Sequence, residues 1–103
     1  MAPPAPLYYV AGSAEDEDFA KAEHLAEMLM SALPGIKCRI IPVLPEQWDQ
    51  YLEKLCSKLG CPGRMPMIWT GSGKAVGGIF DFQQMVEIKY DIKLDPTIQP
   101  RLL

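Results

Sequence analysis

Residues from which redox and metal centres are built are scarce in this sequence: it has three cysteines and one histidine among 103 residues. Cys38, Cys56 and Cys61 are odd in number, and no two stand at Cys-x-x-Cys spacing. A closed disulfide framework is therefore excluded, and too few ligands remain for a structural zinc site. Free thiols are expected, with neither a metal nor a cofactor. Basic charge is also low: ten Lys and Arg against thirteen Asp and Glu give a net charge of −3. Without a positive surface for phosphate backbones or anionic lipid, nucleic acid is excluded as a partner. No apolar run approaches the ~18 residues of a membrane span, which removes membrane insertion. The first basic residue, Lys21, follows the acidic run Glu15-Asp16-Glu17-Asp18, so neither a secretory signal nor an Arg-rich transit peptide is expected. The cytoplasm is the expected compartment. No internal repeat, heptad array or low-complexity segment competes with a simple globular reading.

What is present fits one compact domain, with 49% hydrophobic, 22% charged and 9% aromatic residues. Ten prolines are about twice the usual share of roughly 5%, and half of them fall before Leu7 or after Asp95. This separates a Pro-rich extended leader over 1–6 and an extended tail over 92–103 from a domain over 7–91. Left free, neither end could bury enough apolar surface to order itself. Prolines pre-order such segments for docking along a partner, so both ends are expected to contact neighbouring proteins.

Within the domain, Leu7-Tyr8-Tyr9-Val10-Ala11, closed by Gly12, reads as a buried strand. Ser13 and Asp16 resemble a capping box. Phe19, Ala22, Ala26, Leu29, Met30 and Leu33 then recur at helical spacing, predicting a helix from about Ala14 to Leu33 that Pro34-Gly35 stops. Ile36, Cys38 and Ile40 alternate with Lys37 and Arg39 in a second strand reaching Val43, and Pro42 puts that strand at a sheet edge. Pro45 suits a first helical position, ahead of an apolar stripe of Trp48, Leu52, Leu55, Cys56 and Leu59 that Gly60 ends. Met67 to Thr70 and Ala75 to Ile79 flank Gly71-Ser72-Gly73-Lys74 as a hairpin. That glycine-rich turn lacks phosphate-loop spacing and joins strands instead of opening a helix. A third helix follows from Asp81, which is placed as its cap, with Phe82, Met85, Val86 and Tyr90 on one face. The order β-α-β-α-β-β-α implies an α/β fold, a four-stranded mixed sheet flanked by helices, with a right-handed crossover between its first, parallel strands.

This order, with Met65-Pro66 before the third strand and Gly77-Gly78 after the fourth, resembles the thioredoxin-like fold in its glutaredoxin branch. More narrowly, Tyr9-Val10-Ala11-Gly12, Ala20-Lys21-Ala22-Glu23, Pro45 to Leu55 with Trp48, Pro66-Met67-Ile68-Trp69 and Gly77 to Phe82 resemble the amino-terminal domain of the cilium- and testis-associated malate-dehydrogenase-like proteins. The similarity covers about Leu7 to Asp91. In that family the domain precedes a nucleotide-binding dehydrogenase domain, whose chemistry is not carried over to these residues. The resemblance makes Pro66 a cis-proline and matches Gly77, Gly78 and Asp81 to a γ-glutamyl-binding turn. It also locates what is missing. Glutaredoxins carry Cys-Pro-Tyr-Cys at the start of the first helix, where the positive helix terminus stabilises a thiolate. Here that stretch is Asp16-Glu17-Asp18-Phe19. Carboxylates suit a helix start but turn an anion receiver into an anionic patch. A basic residue that glutaredoxins place three positions earlier corresponds to Ser13.

The other reactive residues have plain structural readings. Cys38 and Cys56 fall on apolar faces as small hydrophobes. Cys61, in a turn near Lys58 and Arg64, is the candidate reactive thiol, though no resolving cysteine stands at redox spacing. His24, beside Glu23 and Glu27, reads as a solvated helix residue without a triad partner. The expected function is a non-enzymatic structural or interaction subunit. The family resemblance implies the ciliary or flagellar axoneme, with doublet microtubules, tubulin or other axonemal proteins as partners. Two alternatives remain open: a glutathione-binding or monothiol redox protein using Pro66, Gly77, Gly78 and Asp81 or Cys61, and a regulatory module of a separate dehydrogenase.

Overall fold

β-branched and aromatic runs form the strands, and apolar stripes at helical spacing form the helices that cover them. The computed structural model describes residues 6–60, 63 and 65–92. Its elements are β1 (Leu7–Ser13), α1 (Glu17–Ala32), β2 (Lys37–Val43), α2 (Trp48–Leu59), β3 (Met67–Thr70), β4 (Ala75–Gly77) and α3 (Ile79–Tyr90). The sheet order is β2-β1-β3-β4. β1 and β2 are parallel, whereas β1–β3 and β3–β4 are antiparallel. The mixed four-stranded sheet is as the sequence predicts, and β2, with Pro42, is an edge strand.

Helix boundaries depart from the sequence reading for identifiable reasons. Ser13 does not cap α1, because it still pairs with Val43 in the parallel ladder and Ala14 N–H bonds the Val43 carbonyl at 2.9 Å. The strand thus holds the chain extended, and Asp16 takes the cap instead, its carboxylate accepting the Phe19 N–H at 2.9 Å. Pro45 opens a single 3-10 turn, Pro45–Gln47, ahead of α2. Gly60 closes α2 in the left-handed region at φ 67°.

The fourth strand is shorter and the third helix earlier than predicted. Gly77, at φ 127°, ends β4 because the chain must leave the strand in a conformation that disfavours a side chain. Gly78 then becomes the N-cap of α3. Asp81 serves this cap from the third helical position, accepting the Gly78 N–H at 3.0 Å.

Alternation along β1 splits the core in two. Tyr8 and Val10 face α1 and α3, packing with Leu25, Leu29, Ile68, Phe82 and Val86. Ala11 faces the other way, with Val43, Met67, Trp48 and Leu55 beneath α2. Each fully buried Leu, Phe or Val contributes roughly 1.5–3 kcal/mol. Cross-strand partners Tyr9 and Trp69 stack on the α2 side, with ring centroids 5.3 Å apart.

Candidate functional site

Three segments singled out in the sequence converge at the C-terminal end of β1. The first is the start of α1. Asp16 caps it, Glu17 and Asp18 occupy its first turn, and Phe19 turns inward, 4% exposed. Phe19 lies against the backbone of Gly12 so closely that a Cβ there would meet its ring at 2.5–2.6 Å. Phe19 is therefore part of the core. Lys21 pairs with Asp18 across the helix surface at 3.9 Å, an exposed contact of small energy.

The second segment is Met65–Pro66, whose peptide bond is cis. Met65 Sδ accepts the Ser13 N–H at 3.2 Å, which ties this turn to the approach into α1. Pro66 itself is fully buried. The third is the β4–α3 turn, joined through the Ile68–Gly77 pairing to the strand that Pro66 opens. A Cβ on Gly77 would collide with the Asp81 carboxylate, so glycine and carboxylate are mutually fitted. Pro66, Gly77, Gly78 and Asp81 thus share one end of the fold with Asp16 to Phe19. Cys61 and both extended ends lie outside the described residues except for Pro6, whose carbonyl accepts the Lys37 N–H at 3.0 Å, and Ile92, which packs against the α1/α3 core.

No thiol is gathered at this end among the described residues. Cys38 packs against the α1/α3 core, where burial pushes its thiol up to about 11, holding it protonated and unreactive at neutral pH. Cys56 is half-buried on α2. Among the described residues, no group of three or more His, Cys, Asp or Glu could hold a metal ion, and no helix is long and apolar enough to cross a membrane.

A second feature, at the hairpin end, was not legible as a site. A groove of about 650 Å³ opens between β4 and α3, floored by Tyr8 and bordered by Lys74 and Lys89. The Tyr8 hydroxyl hydrogen-bonds the Tyr90 hydroxyl, 2.7 Å distant. Burial, then this hydrogen bond, raises the Tyr8 phenol above its ordinary value. The two tyrosines are 82 residues apart, so no sequence spacing signals the contact. One signal did exist: Ile88 is an apolar residue outside the α3 stripe, and it is 76% exposed.

The arrangement is that of a glutaredoxin-type domain. The solved structure of reduced Escherichia coli glutaredoxin superposes with a TM-score of 0.68 at 21% identity, covering 84% of this chain and 99% of that one. The chain belongs to the family described as "Putative malate dehydrogenase 1B N-terminal domain", whose model matches residues 7–100. Among full-length relatives, "Putative malate dehydrogenase 1B" of Branchiostoma floridae is 34% identical over 90 residues, 81% of this chain and 17% of that protein. The Bos taurus protein of the same name is 29% identical over 99 residues, 89% of this chain and 21% of that protein. The chain therefore spans about a fifth of the length of these relatives.

Proposed function

We propose that this is a redox-inactive thioredoxin-like domain that acts as a non-enzymatic interaction module. One observation carries the reading: at the start of α1, a carboxylate caps the helix and an aromatic ring fills the core where the fold's redox chemistry needs two thiols. Asp16, Glu17 and Asp18 satisfy the helix terminus electrostatically, and together they disfavour a second anion such as a thiolate or a glutathione carboxylate. The remaining parts of the end, a buried proline, a glycine turn and a capping aspartate, all have structural work of their own.

The finer proposal places the module in the ciliary or flagellar axoneme, on the strength of the family resemblance given by its motifs. With a net charge of −3, contact with acidic tubulin tails would come through shape and through other accessory proteins rather than through bulk charge. The relatives' name attaches the domain to proteins designated as dehydrogenases, which supports control of a dehydrogenase as the runner-up role.

The test is fractionation of ciliated cells, paired with a glutathione–disulfide exchange assay on the purified chain. Retention on demembranated axonemes through detergent and then high salt, with exchange no faster than the uncatalysed rate, is the expected pair of results. Catalysed exchange that Cys61→Ser abolishes would replace the reading with a monothiol enzyme. Release into the soluble fraction together with a dehydrogenase would replace it with the regulatory one. Chemical-shift changes with glutathione that Asp81→Ala removes would restore a ligand site at Pro66, Gly77, Gly78 and Asp81.

A further inference from the structure

The sheet has two outer edges, and they are not alike. β2 carries Lys37, Arg39 and Pro42, the charges and the missing N–H that keep an edge from pairing with another chain. β4, at the other edge, has no proline, and among the described residues no strand lies on its outer side. Beside it runs the groove floored by Tyr8, with Val76 on its sheet wall and Met85 and Ile88 on its helix wall. Its volume, about 650 Å³, suits several side chains.

Charge is distributed unequally along this groove. Lys74 sits at its hairpin end and Lys89 on the last turn of α3, with its ammonium 5.7 Å from the Tyr90 ring centroid. Among the described residues no carboxylate forms an ion pair with Lys74 or Lys89. Asp81 lies toward the opposite end, at the start of α3. Phe80, Gln84 and Ile88, at four-residue spacing, line up along the helix. Phe80 and Ile88, 78% and 76% exposed, are the most exposed large apolar residues described.

We propose that this groove binds an extended peptide segment of a partner protein. The segment adds a strand to the β4 edge, seats apolar side chains against Val76, Met85 and Ile88, and sets acidic side chains between Lys74 and Lys89. An extended backbone pairs with an open strand edge by donors and acceptors spaced as its own, which favours a peptide over a small amphiphile. The antiparallel direction continues the β3–β4 pattern and places the acidic end of the segment beside Lys74. β4 spans three residues, or ~10 Å, so the recognised core is short and the complex is reversible. This inference names the partner chemistry of the interaction module and rests on that reading for its purpose.

The test titrates the isotopically labelled full chain with the peptide acetyl-Lys-Thr-Val-Thr-Val-Asp-Asp-amide. Saturable shifts of the Ala75, Val76 and Gly77 amides and of the Ile88 methyl are expected. Reversing both lysines, Lys74→Glu with Lys89→Glu, should weaken binding by about tenfold or more while leaving the circular dichroism spectrum unchanged. A peptide with Lys in place of both Asp should prefer the reversed variant. Absence of shifts at millimolar peptide, shifts confined to the α1 end, or indifference to charge reversal would overturn the proposal. Those failures leave the fractionation and exchange results standing, because neither depends on Lys74 or Lys89.

Discussion

Replacing Gly12 by alanine tests whether the start of α1 is a packed structural joint. The added Cβ would stand 2.5–2.8 Å from three Phe19 side-chain atoms, and Phe19 is 4% exposed, so the ring has little room to withdraw. Overpacking of this kind costs about 1–3 kcal/mol. Phe19→Ala alone removes a buried ring at about 3–5 kcal/mol. If the two groups meet as described, removing the ring relieves the 2.5–2.6 Å approaches and leaves only the 2.8 Å approach to the Phe19 Cβ, so the double variant costs less than the two single changes added together. Urea denaturation of the four members of the cycle would then show a favourable coupling of about 1–3 kcal/mol. A domain with about 5–15 kcal/mol of total stability could unfold under Phe19→Ala, so all four members are measured with the same stabilising osmolyte present. Additivity within about 0.5 kcal/mol in this cycle would refute the contact, and with it the claim that the start of α1 is a packed joint.

Three further outcomes are expected. Asp16→Ala should cost about 1 kcal/mol in urea denaturation and Asp16→Asn much less, because either oxygen can accept the Phe19 N–H. Gly77→Ala should destabilise more than Asp81→Ala, about 1 kcal/mol for the latter; Gly77 combines φ 127° with the approach of the carboxylate, whereas Asp81 only satisfies the Gly78 N–H. Stability should fall as pH rises from 9 toward 11. Cys38 is held protonated in the fold up to about 11, while its unfolded thiol ionises near 9, so the unfolded state loses its proton first. Cys38→Ala should remove the part of that decline that begins near pH 9, and Tyr8 and Tyr51, also raised by burial from an unfolded value near 10, should steepen it from about pH 10 upward.

Element order, sheet composition and the edge position of β2 were legible because they rest on periodicity, Pro42 and local punctuation, which a single sequence carries. The helix starts were not, and for a common reason. Ser13 and Asp81 are both good caps by residue type, yet Ser13 was claimed by pairing with Val43 and Asp81 was displaced to the third helical position by the turn at Gly77. Tertiary hydrogen bonding decided between neighbouring residues of nearly equal propensity. The convergence of Asp16, Pro66 and Gly77 was readable only through resemblance, since it requires knowing which strand ends meet. The groove was invisible because its walls come from β1, β4 and α3, and its floor is set by the Tyr8–Tyr90 contact across most of the domain.

That hydroxyl pair also fixes where the polypeptide can be tethered. It clasps the second residue of β1 to the final residue of α3, so the strand's beginning and the helix's last turn emerge side by side. β1, seven residues long, then carries the chain ~20 Å away to the α1 end. Both ends of the described domain therefore lie at one pole, and the acidic first helical turn lies at the other.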